Sequence, residues 1–85
     1  MNGNKAEILL EINSPQSTLL SQKVEKVFLP GVCGPFEVLC NHAPLITALT
    51  EGTIRYSVEG EMKSLSVRSG FVDINHNKVS VCLDL

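Results

Sequence analysis

Apolar residues recur along this chain at every second position. Ile8, Leu10 and Ile12 alternate with Leu9 and Glu11, and Ile54, Tyr56 and Val58 with Arg55 and Ser57. Leu65 and Val67 alternate with Ser66 and Arg68, Val72 and Ile74 flank Asp73, and Val79, Val81 and Leu83 alternate with Ser80 and Cys82. Successive side chains of a strand point to opposite faces, so this period predicts strands with one face buried and one wet. The residue types agree, since β-branched Val, Ile and Thr fit a pleated surface.

Turn residues fall between the runs. Ser14-Pro15 ends the first strand, and Pro30-Gly31 ends a second that runs about Lys23 to Leu29. Glu51-Gly52 precedes the Ile54 strand, and Ser69-Gly70 breaks the one before Val72. Val58 to Met62 reads as a tight hairpin with Gly60 free to take positive φ, and Asn75-His76-Asn77-Lys78 as a polar turn in which Asn can turn left-handed. Lys23–Leu29 fits less well, because neither Val24, Lys26 and Phe28 nor Glu25, Val27 and Leu29 make a clean face. A β-bulge that re-phases the strand, or burial of both faces, accounts for such a pattern. Gly31 and Gly34 are expected to bracket a tight loop. Leu45–Leu49 is too confined between Pro44 and Glu51-Gly52 for a helix of ordinary length. The prediction is all-β: seven or eight short antiparallel strands in a single two-sheet β-sandwich or flattened barrel.

Composition narrows the picture. With 85 residues the chain forms one domain, residues 1–85, and buries only about 60–65 % of its unfolded surface. Hydrophobic residues make up 44 %, but aromatics only 5 % with no Trp, so Val, Ile and Leu must build the core. No apolar run approaches the ~20 residues of a membrane-spanning helix. Met1-Asn2-Gly3-Asn4-Lys5 lacks the basic start of a secretory signal, and no small-residue cleavage site follows. The net charge is −2 and the basic residues are scattered, which argues against nucleic acid as a partner. Cys33, Cys40 and Cys82 are odd in number and include no CxxC pair. They read as reduced thiols of a cytosolic protein rather than a disulfide framework or a zinc site.

Candidate chemistry is sparse. Cys40 and His42 would share a face on one strand and could pair a thiol with a base, with Glu37 as the only nearby acid. A free Cys more often serves as a small hydrophobe. His42, His76 and Glu37 lack the spacing of metal ligands. Glu59 and Glu61 flank Gly60 at a solvated tip. No glycine-rich loop leads into a helix that would cradle phosphate. No catalytic, cofactor-binding or metal-binding residue is assigned, and a binding or structural module is the natural reading. Leu9, Val27, Leu29 and Leu39, on the less clean faces, are the expected apolar excess of a partner surface.

One stretch is more specific. Asn41-His42-Ala43-Pro44-Leu45-Ile46-Thr47-Ala48-Leu49, then Glu51-Gly52-Thr53-Ile54-Arg55, resembles the epsilon subunit of rotary ATP synthases. Lys23 to Gly31 upstream is similar to that family's second strand and turn; downstream, Ser69-Gly70-Phe71-Val72 resembles its S-G-G-hydrophobic step and Asn77-Lys78-Val79-Ser80-Val81 its last strand. The likeness runs from about Ile8 to Leu83. Within HAPL, Pro44 fixes its own φ and pushes Ala43 away from helix, so the chain leaves the loop extended. His42 can donate and accept, which suits it to pinning the loop or to meeting a partner.

The resemblance implies an epsilon-type N-terminal β-sandwich. The family's C-terminal helical hairpin is expected to be absent, since the chain stops at Asp84-Leu85, and the inhibitory role of that hairpin is not carried over. It implies a non-catalytic central-stalk subunit of a proton- or sodium-translocating ATP synthase. Such a subunit binds gamma and the ring of c subunits, couples ion flow to ATP synthesis, needs no cofactor, and sits peripherally at the cytoplasmic face of the bacterial inner membrane. By position, Ser14, His42, Ala43 and Thr47 match the gamma-facing side. The loop Gly34, Pro35, Phe36 and Glu37 matches the ring-facing tip. Pro35 stands where relatives often carry an acid, and Glu37 would supply that charge two positions on. The alternatives are a free-standing β-sandwich binding module and an enzyme built on Cys40, His42 and Glu37.

Overall fold

The structure, a computed structural model, describes residues 7–84. Nine strands follow one another: β1 (Ile8–Asn13), β2 (Thr18–Val24), β3 (Lys26–Gly31), β4 (Gly34–Val38), β5 (Leu45–Leu49), β6 (Gly52–Val58), β7 (Glu61–Val67), β8 (Gly70–Asn75) and β9 (Lys78–Leu83). They form one continuous, curled ladder in the order β2-β1-β9-β8-β5-β3-β6-β7, with β4 on the free side of β3. The curl creates two layers, β2-β1-β9-β8-β5 and β4-β3-β6-β7. The layers are hydrogen-bonded to each other only narrowly. One link pairs Gly31 with Leu49, flanked by Val32 N–H to the Ala48 carbonyl (3.0 Å) and Thr50 N–H to the Pro30 carbonyl (2.9 Å). The other is Glu25 N–H to the Ser57 carbonyl (2.9 Å). The all-β two-layer expectation holds, with nine strands rather than seven or eight. Among the described residues no helix is long and apolar enough to cross a membrane.

The period-two pattern explains the core directly. Ile8, Leu10 and Ile12 of β1, Val72 and Ile74 of β8, and Val79, Val81 and Leu83 of β9 point inward from one layer. Val27 and Leu29, Val38, Ile54 and Tyr56, and Val67 point inward from the other, and all belong to one buried cluster. Full burial of each aliphatic side chain contributes about 1.5–3 kcal/mol against its exposed state. Ladders are antiparallel except β1–β9, which runs parallel from Leu9↔Lys78 to Asn13↔Cys82. Two turns take the left-handed conformation at both central residues, Glu59-Gly60 (φ 50° and 82°) and His76-Asn77 (51° and 58°). That geometry matches the twist of a two-residue hairpin.

Three expectations are corrected. The strand read as Lys23–Leu29 is two strands, broken at Glu25. The break shifts the inward phase from even to odd positions, Val24 on one side and Val27 and Leu29 on the other. Glu25 holds this corner: its Oε1 accepts from the Ser57 hydroxyl (2.7 Å) and from Gly60 N–H (3.3 Å). Val27 and Leu29 are therefore core residues, 0 % and 1 % exposed, and not a partner-facing excess. Leu39 is exposed and Leu9 half-buried. Finally, Gly34 to Glu37 is no loop but most of β4, an edge strand paired to β3 from Gly31↔Gly34 to Val27↔Val38.

Candidate functional site

The outer face of the larger layer is polar over β1 and β9 and turns apolar where β5 meets β8. Ile46 and Ala48 share the outward side of β5. Across the ladder Ile46 pairs with Asp73, and Ala48 with Phe71. Ile46 is 71 % exposed and Phe71 53 %, the largest apolar exposures of the two strands. Phe71 in turn pairs with Cys82 of β9. On its far side β5 has one ladder partner among the described residues, at Leu49, so Leu45 to Thr47 present an open strand edge beside these side chains. Open edges with exposed apolar residues are places where another chain can pair.

Beside Phe71 the surface dips into a groove of about 530 Å³, lined among others by Ser14, Ala48, Gly70, Phe71 and Cys82. Gly70 makes it possible. A Cβ there would collide with the Cys82 carbonyl oxygen and lie 3.2 Å from the Leu83 Cα, so only glycine lets β8 come this close to β9. Ser14 fixes the turn on the groove's rim, where its hydroxyl accepts from the N–H groups of Gln16 (3.3 Å) and Ser17 (3.2 Å).

At the opposite end of β5 the loop Cys40–Pro44 lies against the β8–β9 turn. Asn41 takes φ 66°, which swings its backbone N–H onto Asn77 Oδ1 at 2.6 Å. Asn77 Nδ2 donates back to Asn41 Oδ1 (3.4 Å), and Cys40 Sγ donates to Asn77 Oδ1 (3.5 Å). His42 donates its backbone N–H to Leu39 (3.2 Å) and Nδ1–H to the Ala43 carbonyl (2.7 Å). The second bond requires a proton on Nδ1, since a carbonyl can only accept. Ala43 and Pro44 are exposed.

The structure thus sets Ser14, His42, Ala43 and Thr47 around one strand, two at its start and Ser14 at its end. Thr47 lies on the inward side of β5, paired with fully buried Val72, and is half-buried. The residues that stand outward from this strand are Ile46 and Ala48, which sequence reasoning passed over along with Phe71. Parity was the available signal: with Val72 and Ile74 inward, Phe71 had to point out.

The second set lies on the smaller layer. Its hairpin tip, Val32-Cys33, is exposed, and Gly34, Pro35 and Glu37 follow it on the edge strand. Phe36 folds inward onto the core. Pro35 and Glu37 line a shallow depression of about 440 Å³ with Phe28, Pro30, Thr53 and Arg55. Phe28 there is covered by cations, the Arg55 guanidinium 4.8 Å and the Lys26 ammonium 5.9 Å from its ring centre.

The catalytic and metal combinations do not assemble. Cys40 and His42 sit in a turn rather than on a strand, with Sγ directed to Asn77 and Nδ1 to the backbone. Glu37 is on β4. His42 and His76 line one hollow of about 350 Å³ with Asn41, Pro44, Asn75 and Asn77, but Glu37 does not. No group of three metal-ligating side chains occurs among the described residues.

Residues 7–84 match the family model of the ATP synthase delta/epsilon chain β-sandwich domain. The ATP synthase epsilon chain of Desulfitobacterium hafniense is 40 % identical over 75 residues, which are 88 % of this chain and 57 % of that one. The epsilon chain of Pelotomaculum thermopropionicum is 43 % identical over 72 residues, 85 % of this chain and 54 % of its own. The chain therefore spans a little over half the length of these relatives. Among solved structures, a chain of the Euglena gracilis mitochondrial ATP synthase shares the fold, with a TM-score of 0.86 at 22 % identity over 98 % of this chain and 54 % of that one.

Proposed function

The chain belongs to the delta/epsilon β-sandwich family of ATP synthases, and on that premise we propose that it is a non-catalytic central-stalk subunit of a rotary ATP synthase. In this role it binds the gamma subunit and the c-ring, turns with them, and couples proton or sodium flow to ATP synthesis. It works peripherally, at the cytoplasmic face of the bacterial inner membrane. The observation that carries the reading is the apolar corner of β5 and β8. Ile46, Ala48 and Phe71 stand exposed and adjacent next to the open edge of Leu45 to Thr47; Leu19, Val32, Leu39 and Met62 are also exposed but lie elsewhere in the fold.

We assign the gamma-facing side to this corner and its two flanks: Ser14 at the groove rim, Thr47 within β5, and His42 and Ala43 at its entry. The ring-facing role goes to the edge strand, through Gly34, Pro35 and Glu37, with Phe36 anchoring that strand to the core. Glu37 offers the negative charge that basic loops of the ring would meet. A small sandwich of this kind also gains stability from any partner that binds only its folded form.

The test is co-purification of this chain with its cognate gamma subunit and c-ring, scored by gel filtration and by ATP-driven ion pumping. The expected result is stoichiometric binding to gamma and pumping restored when the chain is added. A folded monomer that ignores both partners would overturn the assignment and leave a generic binding module.

A further inference from the structure

We infer that Asn77 is a positioning residue that holds the His42–Pro44 loop in its partner-ready shape. This deepens the reading above and rests on it. Asn77 sits at the second central position of a two-residue turn with φ 58°, where glycine is the easy choice and asparagine carries a conformational cost. Its side chain is nevertheless engaged throughout. Oδ1 accepts from Asn41 N–H (2.6 Å) and Cys40 Sγ (3.5 Å), and Nδ2 donates to Asn41 Oδ1 (3.4 Å). Its carbonyl accepts from Leu9 N–H (2.9 Å), which ties the same residue to the start of β1. One amide therefore fastens the entry loop of β5 to the frame of the larger layer.

The need for such a fastening follows from the loop. Among the described residues, Cys40 to Pro44 belong to no strand, and Ala43 and Pro44 are exposed. His42 ties the loop to itself, through Leu39 and Ala43, whereas Asn41, at φ 66°, ties it to the sheet and is held there by Asn77. A loop oriented before a partner arrives loses less freedom on binding, and that saving appears as affinity.

The position allows a clean test. Asn77→Gly keeps, or eases, the turn while deleting the side chain, so the fold should persist. Asn77→Asp keeps the acceptor for Asn41 N–H and loses only the return donor. The measurements are amide-proton exchange at Asn41 and His42 by NMR, thermal unfolding, and affinity for the cognate gamma subunit by calorimetry. The expected pattern for Asn77→Gly is a Tm within a few degrees of the parent, the eased turn offsetting part of the lost bonding, about tenfold faster exchange at Asn41, and about tenfold weaker binding to gamma, as fits the loss of two or three modest hydrogen bonds. Asn77→Asp should keep most of the affinity. Unchanged exchange at Asn41 in Asn77→Gly would overturn the fastening. Faster exchange with undiminished affinity would overturn the positioning role. Failure of the unaltered chain to bind gamma would overturn the functional reading itself, and is distinguished from the other two by needing no variant.

Discussion

Both layers of the sandwich carry a phenylalanine on the outside, and the two are treated oppositely. Phe28, on the smaller layer, is half-buried beneath the Arg55 guanidinium and the Lys26 ammonium, which attract its ring face and screen it from water. Phe71, on the larger layer, has no such cover among the described residues and pairs with Ala48, with exposed Ile46 two positions along β5. In the function proposed above, the capped aromatic serves the fold and the bare one meets gamma. Apolar exposure by itself would not separate these faces; what lies over each ring does.

The comparison can be broken or sharpened experimentally. The largest effect is expected from Gly70→Ala, which drives a methyl into the Cys82 carbonyl and wrecks the seat of Phe71. It should destabilise the domain by about 3 kcal/mol in urea unfolding, in line with overpacking at a close backbone approach. Next, Phe71→Ala should weaken binding to gamma by about thirtyfold, as an exposed aromatic anchor would, with stability within about 0.5 kcal/mol of the parent. Phe28→Ala should do the reverse, costing roughly 1–2 kcal/mol of stability and leaving gamma binding unchanged. If Phe28→Ala were the variant that lost gamma, the two faces would have been assigned the wrong way round. The smallest effect is expected from Arg55→Gln, about 0.5 kcal/mol by chemical unfolding, because the pair is solvent-exposed.

Much of the architecture was legible because alternation is a local signal. β1, β6, β8 and β9 announce their inward residues by parity, and the Glu59-Gly60 and His76-Asn77 turns announce themselves by residue type. Two features were not legible. The corner at Glu25 reverses parity within one segment, and what makes it a corner is a hydrogen bond to Ser57, 32 residues away. β4 contains Gly34 and Pro35, which sequence logic reads as loop; it is a strand because β3 offers it a ladder along its length. Of the candidate site, the sequence marks one end. HAPL marks the entry to β5, but the fastening by Asn77 joins residues 36 apart, and the outward set Ile46, Ala48 and Phe71 emerges only when β5 and β8 lie side by side. Parity states which residues leave the core. It does not state which of them end up adjacent.

The parallel pairing of β1 with β9 bears on how the domain is made. In the larger layer β9 lies in the middle, between β1 and β8, so β1 gains its second neighbour only after β2 to β8 have been made. Until Lys78–Leu83 leaves the ribosome, β1 and β2 form an isolated hairpin, and such hairpins are marginal in water. Loops this long must close before their contacts reward them, which slows folding and leaves an interval in which the sheet is incomplete. A chain released before Lys78–Leu83 is made would be left with a half-built sheet and its central seam open, a natural client for a chaperone.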